Sequence, residues 1–331
     1  MKHILIIQTG GTIAMHLDEG RAELDQDKFH DLLNKEMPEL SKIANLSIER
    51  LFSEDSSEIT PKHWIELSRF IESKYDMFDG FVVLHGTDTM AYSASALSFA
   101  MINLGKPIIF TGSQVPMSNI RSDARRNVVN AVELATHPIY EVAICFNDRL
   151  YRGNRTSKMN IGDFDAFSSP NFPPIAEIGI DIELHEVQKK PVHDLLCNPV
   201  FSDSIRVVKL FPGLNPARLQ KPDPEITKAI IFESFGSGNF PVKGENSLLP
   251  FMKECRDNGC HVIITSQAAY DAVNLNLYAS GRDAKKLGAL SAGDMTTEAT
   301  VTKTMFLLGN KLEDEAFKSQ FITSISGERS R

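Results

Sequence analysis

The stretch GFVVLHGTDTMAYSASALSFAMINLG, residues 80–105, decides the fold. Its first part, GFVVLHG over 80–86, is an uninterrupted apolar run. Such a run predicts a strand buried on both faces, as in a parallel sheet. Its second part, TMAYSASALSFAMINLG over 89–105, predicts an apolar helix of small residues closed by Gly105. Thr87 and Asp88 stand between them, at the carboxyl end of the strand, where open α/β sheets bind ligands. Asp88 at this helix start is equally suited to be an N-cap.

The same alternation extends both ways. HILIIQ (3–8), PIIFTG (107–112) and EVAICF (141–146) read as strands. TPKHWIELSRFIESKY (60–75) reads as a helix, with Thr60 as N-cap, Pro61 at the first position and Trp64, Leu67, Ile71 and Tyr75 at helical spacing. SDARRNVVNAVELAT (122–136) reads as another helix. Strands and helices in alternation predict an α/β fold with a larger N-terminal, doubly wound parallel-sheet domain. The rhythm stops after residue 150. Residues 151–181 are rich in Gly, Pro, Asn and Ser and read as loop with only short structure. Breakers in KKPVHDLLCNPV and FPGLNPARLQKPDP predict a bridge. A second, smaller α/β unit then starts near Thr227. Its strands are KAIIFESFG (228–236) and HVIITS (261–266), and its helices SLLPFMKECRDNG (247–259) and TTEATVTKTMFLLG (296–309). The expected organisation is an N-terminal domain over 1–190, a linker over 191–226 and a C-terminal domain over 227–331.

Composition narrows the class. The chain has 331 residues, 42% hydrophobic and 24% charged, with a formal charge of -8. That acidity argues against a nucleic-acid surface and against anionic membranes. No apolar run approaches the ~20 residues needed to cross a bilayer. Lys2 and His3 precede only the short apolar run Ile4–Ile7, so no secretory signal is read. Cys145, Cys197, Cys255 and Cys260 show no metal spacing, and reduced thiols in a cytoplasm are expected. No HExxH occurs among the histidines, so no metal is expected.

Three further segments fit strand ends or loops. In TGGT (9–12), Gly10 and Gly11 permit positive φ and close backbone approach, so the turn either presents the hydroxyl of Thr12 to a ligand or simply ends the strand. Neither GxGxxG nor a P-loop is present. Asp55, Ser56 and Ser57 in DSSEITP open a helix, as a polar turn or as ligand contacts. Lys158 in RGNRTSK is a solvated loop lysine or, buried beside Thr and Asp, a base. A threonine hydroxyl is a weak nucleophile until such a base is present.

In order, TGGTIAM, DSSEITPKHW, HGTDTMAYSASAL and LYRGNRTSK resemble the L-asparaginase family, most of all the cytoplasmic bacterial type I enzymes. LGKPIIFTGSQVPM, RSDARRNVVNA, GDFDAFSSPN, SFGSGNFP and AGDMTTEAT extend the likeness from about residue 4 to 309. The resemblance implies hydrolysis of the side-chain amide of asparagine to aspartate and ammonia, without cofactor or metal. It implies Thr12 as the attacking hydroxyl and Thr87, Asp88 and Lys158 as a linked triad. Asp88 would also meet the substrate α-ammonium and Ser56 its α-carboxylate, with Asp55 and Ser57 completing the pocket wall. Backbone N–H groups near Thr87 would receive the oxyanion. The implied assembly is a homotetramer, a dimer of dimers.

This sequence departs from the family in two places. The loop after TGGTI carries a tyrosine in the family. Here Arg21 takes its place and no tyrosine precedes Tyr75. A guanidinium is not a base at neutral pH, but it can hold an extra carboxylate. Two alternatives follow: an amidase for a more anionic amide, or a non-catalytic amino-acid sensor of the same fold. A relative that feeds ammonia to misacylated tRNA is disfavoured by the acidic charge and by the short stretch ahead of Thr9. Some type I enzymes bind a second, regulatory asparagine in the C-terminal half. There Ala268 replaces an expected cysteine and Glu233 an expected basic residue, while Asn239 remains, so activation by asparagine is not expected.

Overall fold

The computed structural model describes residues 1–11 and 36–330. The chain divides into two compact units, Met1–Pro199 and Val200–Arg331.

The first unit runs β1 (His3–Gly10), α1 (Leu40–Ile43), β2 (Asn45–Glu54), α2 (Pro61–Lys74), β3 (Gly80–Leu84), α3 (Met90–Ala100), β4 (Met101–Ile102), β5 (Ile108–Thr111), α4 (Ala124–Leu134) and β6 (Val142–Phe146). It continues through β7 (Arg149–Arg152), β8 (Ser157–Lys158), β9 (Phe167–Ser168), β10 (Ala176–Ile178), β11 (Ile182–Leu184) and β12 (Leu196–Cys197). The main sheet has the order β2-β1-β3-β5-β6-β7-β10-β11. Strands β2, β1, β3, β5 and β6 are parallel. Residues Ile4–Ile7, Phe81–Leu84 and Ile108–Phe110 are buried whichever face they point to, as a sheet covered on both sides requires.

Three details depart from expectation. The parallel sheet is extended at one edge by β7, β10 and β11, which pair antiparallel. The cause is local: Asn147 and Asp148, at φ 47° and 62°, form a two-residue hairpin turn between β6 and β7. A turn that tight returns the chain antiparallel and is too short for a crossover. The helix expected to run to Gly105 stops at Ala100. Met101 leaves helical geometry at φ -99° and ψ 76°, and Asn103 turns left-handed at φ 58°. Residues 101–102 then pair with β12. Strand β2 is an additional element; its residues are only partly buried, which hides its period in the sequence.

The second unit comprises β13 (Ile205–Lys209), β14 (Ala229–Ser234), α5 (Leu249–Asp257), β15 (His261–Ser266), α6 (Ala279–Lys286), β16 (Leu290–Ser291), α7 (Thr297–Gly309) and α8 (Asp314–Ile322). Its sheet, β13-β14-β15-β16, is parallel throughout. Strand β13 falls inside the 191–226 span read from its breakers as a bridge, and pairs with β14.

Strand β1 positions the site. Its neighbours are β2 on one side and β3 on the other. The strand order reverses there, and the crevice for a ligand opens at the carboxyl ends of these strands.

Candidate functional site

The turns leaving β1, β2 and β3 lock into one another. Gly10 and Gly11 both have positive φ, 114° and 88°, as the TGGT reading anticipates. A Cβ on Gly11 would lie 2.5 Å from the backbone nitrogen of Gly86, so only glycine fits. A Cβ on Gly86 would lie 2.6 Å from Cβ of Ser56. The hydroxyl of Thr9 donates to the carbonyl of Leu84 at 2.8 Å, fastening β1 to the end of β3. Thr12 and Arg21, both singled out from the sequence, lie outside the described residues.

Thr87, Asp88 and Lys158 meet although some 70 residues separate the first two from the third. Lys158 Nζ donates to Thr87 Oγ1 at 2.7 Å and to Asp88 Oδ1 at 2.6 Å. Lys158 is on the short strand β8, opposite Phe167 of β9. Phe167 is buried against Phe146, ring centroids 5.0 Å apart, which anchors the hairpin carrying the lysine. The lysine side chain keeps 15% of its surface and the Asp88 side chain 65%. The cluster is therefore an ammonium held between a buried hydroxyl and a carboxylate open to solvent, a charge-assisted arrangement.

The β2 turn contributes Asp55, Ser56 and Ser57. Ser56 is buried, and its carbonyl accepts from the Thr89 hydroxyl at 2.6 Å, directly after Asp88 in the chain. Asp55 and Ser57 are exposed and bond to one another: Asp55 Oδ1 accepts from Ser57 N at 2.8 Å and from Ser57 Oγ at 2.7 Å. The Ser57 N–H and then its hydroxyl hold the Asp55 carboxyl below its ordinary range. The structure thus brings Ser56 to the Thr87 turn and pairs Asp55 with Ser57.

Two features escape the sequence reading. Gln114 follows β5, the next strand along, and its Oε1 accepts from the Thr87 hydroxyl at 3.2 Å. The available signal was its place at a strand end in FTGSQ. The second is a buried relay behind the Thr87 turn. Trp64 Nε1 donates to Ser93 Oγ at 3.0 Å, Ser93 meets His85 Nε2 at 2.9 Å, and His85 Nδ1 meets the Gly86 carbonyl at 2.7 Å. Indole can only donate and a carbonyl can only accept, so the direction is fixed: Ser93 donates to Nε2 and Nδ1 carries the imidazole proton. Burial pushes the His85 pKa down to about 4, so the ring is neutral. No period or spacing marks such a relay in a sequence.

In the second unit, Glu233 Oε1 accepts from Thr297 Oγ1 at 3.2 Å and the Asn239 side-chain oxygen accepts from Ser280 Oγ at 2.7 Å. The Ala268 N–H donates to Ser266 Oγ at 3.0 Å. Among the described residues no cluster of His, Cys, Asp or Glu is placed to hold a metal, and no helix is long and apolar enough to cross a membrane.

The chain is similar to known proteins along its length. Residues 3–190 match the family model "Asparaginase, N-terminal", and residues 204–321 match "Glutaminase/Asparaginase C-terminal domain". The chain is 38% identical to L-asparaginase 1 of Escherichia coli, covering 99% of this chain and 98% of that one. It is 32% identical to one of the subunits of the glutamyl-tRNA(Gln) amidotransferase of Pyrococcus abyssi, over 99% of this chain and 77% of the relative. The crystal structure of L-asparaginase I from Vibrio cholerae superposes with a TM-score of 0.89 at 38% identity, covering 100% of this chain and 99% of that one. Through both of its units, this chain belongs to the asparaginase family.

Proposed function

We propose that this protein is an asparaginase-type amidohydrolase that converts L-asparagine and water to L-aspartate and ammonia. The observation that carries the reading is the convergence of Lys158 on Thr87 and Asp88 beside the turns of β1 and β2. Full-length likeness to L-asparaginases supports it.

In this reading the Thr12 hydroxyl attacks the side-chain amide carbon, losing its proton as the C–O bond forms. The resulting oxyanion is received by backbone N–H groups of the Thr87 turn, each such donor being worth about 3 kcal/mol of barrier. The C–N bond breaks and the leaving nitrogen departs as ammonia with the proton. Water, giving its proton to the Thr87–Lys158 pair, then adds to the acyl carbon; the ester bond to Thr12 breaks, the proton returns to the Thr12 oxygen, and aspartate leaves. Asp88 takes the α-ammonium, for which its exposed carboxylate is suited, and Ser56 takes the α-carboxylate, with Asp55 and Ser57 forming the wall. No cofactor takes part. The protein acts in the cytoplasm as a homotetramer. Because Glu233 is a carboxylate already engaged by Thr297, asparagine binds at one class of site per subunit. Calorimetric titration showing two classes would contradict that.

The sequence favours a second reading at one point: Arg21 replaces the family's loop tyrosine, and a guanidinium suits a substrate with an additional carboxylate. The deciding experiment measures ammonia release from asparagine, glutamine and carboxylated amides, with Thr12→Ala and Thr87→Ala as controls. Release from asparagine that both variants abolish is expected. Release only from carboxylated amides selects the second reading, and none from any amide leaves an amino-acid sensor.

A further inference from the structure

A carboxamide has one acceptor oxygen and two N–H donors, so its surroundings can fix which way it points. Gln114 Nε2 faces two backbone carbonyls, those of Asn160 at 3.4 Å and Asp163 at 3.1 Å. Both can only accept, so the nitrogen belongs there and the oxygen faces Thr87. That oxygen can only accept in turn. The single hydroxyl proton of Thr87 is therefore committed to Gln114, and the 2.7 Å bond between Thr87 and Lys158 is donated by the lysine. The backbone of Gln114 is itself held. The carboxylate of Asp123, a buried residue, accepts from Gln114 N at 3.1 Å, Val115 N at 3.2 Å and Asn127 Nδ2 at 3.0 Å.

We infer that Gln114 is a positioning residue for the Thr87–Lys158 pair. Its carboxamide holds the Thr87 proton away from Lys158 at rest and ties Thr87 to the loop that follows the lysine. Proton transfer to Lys158 then requires the lysine, whose side chain keeps 15% of its surface, to release its own proton to solvent and the Thr87 hydroxyl to turn from Gln114 towards it. This rests on the roles proposed above for Thr87 and Lys158. Asp123 acts one step further back, by fixing the turn from which Gln114 reaches.

Two substitutions separate positioning from scaffolding. Gln114→Met keeps the length and removes both functions of the amide. It lowers kcat for asparagine about tenfold through lost orientation, with KM within about twofold. Gln114→Glu places a carboxylate where the amide is. The bonds of 3.2 and 2.7 Å to Thr87 put that position within about 6 Å of Lys158 Nζ. The added charge favours the ammonium form, so the acid limb of the kcat/KM profile moves up by about one pH unit. A merely structural glutamine would leave that limb in place. Both variants matching the wild type in kcat and in pH profile overturns the inference, whereas a wild type inert towards asparagine sinks the underlying reading instead. Should a variant not fold, wild-type protein labelled with 15N-glutamine decides: the Gln114 side-chain protons exchange at least about tenfold more slowly than those of exposed glutamines, and equal rates overturn the inference.

Discussion

Gly86 presses against the side chain of Ser56: a methyl group at residue 86 would lie 2.6 Å from Ser56 Cβ and 2.7 Å from its Oγ. That contact sets the distance between the β2 turn and the Thr87 turn. Gly86→Ala forces one of them to move. Overpacking of this kind costs about 1–3 kcal/mol, and a displaced reacting group costs tenfold or more in rate. A fall in Tm with a loss of kcat/KM of about tenfold or greater is expected. Wild-type values of both would show that the turns yield freely.

Lys158 is the only group bonded to both Thr87 and Asp88 among the described residues. Lys158→Met keeps the length of the side chain and removes the base. The expected loss in kcat is about 10²–10⁴-fold, the usual range for a general acid–base residue. Lys158→Arg does not rescue it, because a guanidinium keeps its proton at neutral pH. Steady-state kinetics of both variants check this, and near-normal turnover by either removes Lys158 from the proton pathway.

His85 makes stability acid-sensitive. Burial lowers its pKa from 6.5 to about 4, despite the opposing bond to the Gly86 carbonyl. Between those values the unfolded chain binds a proton that the native protein does not. The contribution is full above pH 6.5 and is lost as pH falls, reaching about 3 kcal/mol at pH 4. His261 in the second unit, also pushed by burial down to about 4, acts with the same sign. Unfolding measured from pH 4 to 6.5 should show His85→Asn taking up about one proton fewer than the wild type. Identical slopes would mean that His85 is already protonated in the native state.

The second unit carries a buried ion pair that holds its C-terminal segment. Lys303 and Glu328 are both 0% exposed, with Nζ and Oε1 2.5 Å apart. Lys303 also donates to the carbonyls of Phe321 and Thr323 at 2.8 and 2.6 Å. Burial alone would raise the Glu328 carboxyl, but the Lys303 ammonium and the N–H groups of Ser326 and Ile325 hold it below its usual range. Lys303→Met leaves a buried carboxylate uncompensated and should cost about 3–5 kcal/mol in chemical denaturation. Lys303→Met combined with Glu328→Gln should recover part of that loss. A single variant within 1 kcal/mol of the wild type, on the order of a surface pair, would contradict the account.

Local chemistry made much of this protein legible from its sequence. The apolar run at 80–84, Pro61 after Thr60 and the glycines of TGGT predicted elements that form because burial, a fixed φ and positive φ are properties of the residues themselves. The α/β class followed from their alternation. The sequence also placed Thr87, Asp88, Ser56 and Lys158 at strand ends or in a polar loop, but left each with a bland alternative. Only tertiary structure brings Lys158 to Thr87 and Asp88, since the bond from Lys158 to Thr87 spans 71 positions and no periodicity encodes it. The same holds for Gln114, whose role comes from facing two carbonyls in a distant loop, and for the relay from Trp64 to His85. The antiparallel edge beyond β6 was settled by two left-handed residues at 147 and 148, whose φ angles residue type permits without dictating. Segment conformation is a short-range property of the chain; the direction of a proton between Thr87, Gln114 and Lys158 depends on which partners folding brings within 3 Å or so, and that is a property of the packed molecule alone.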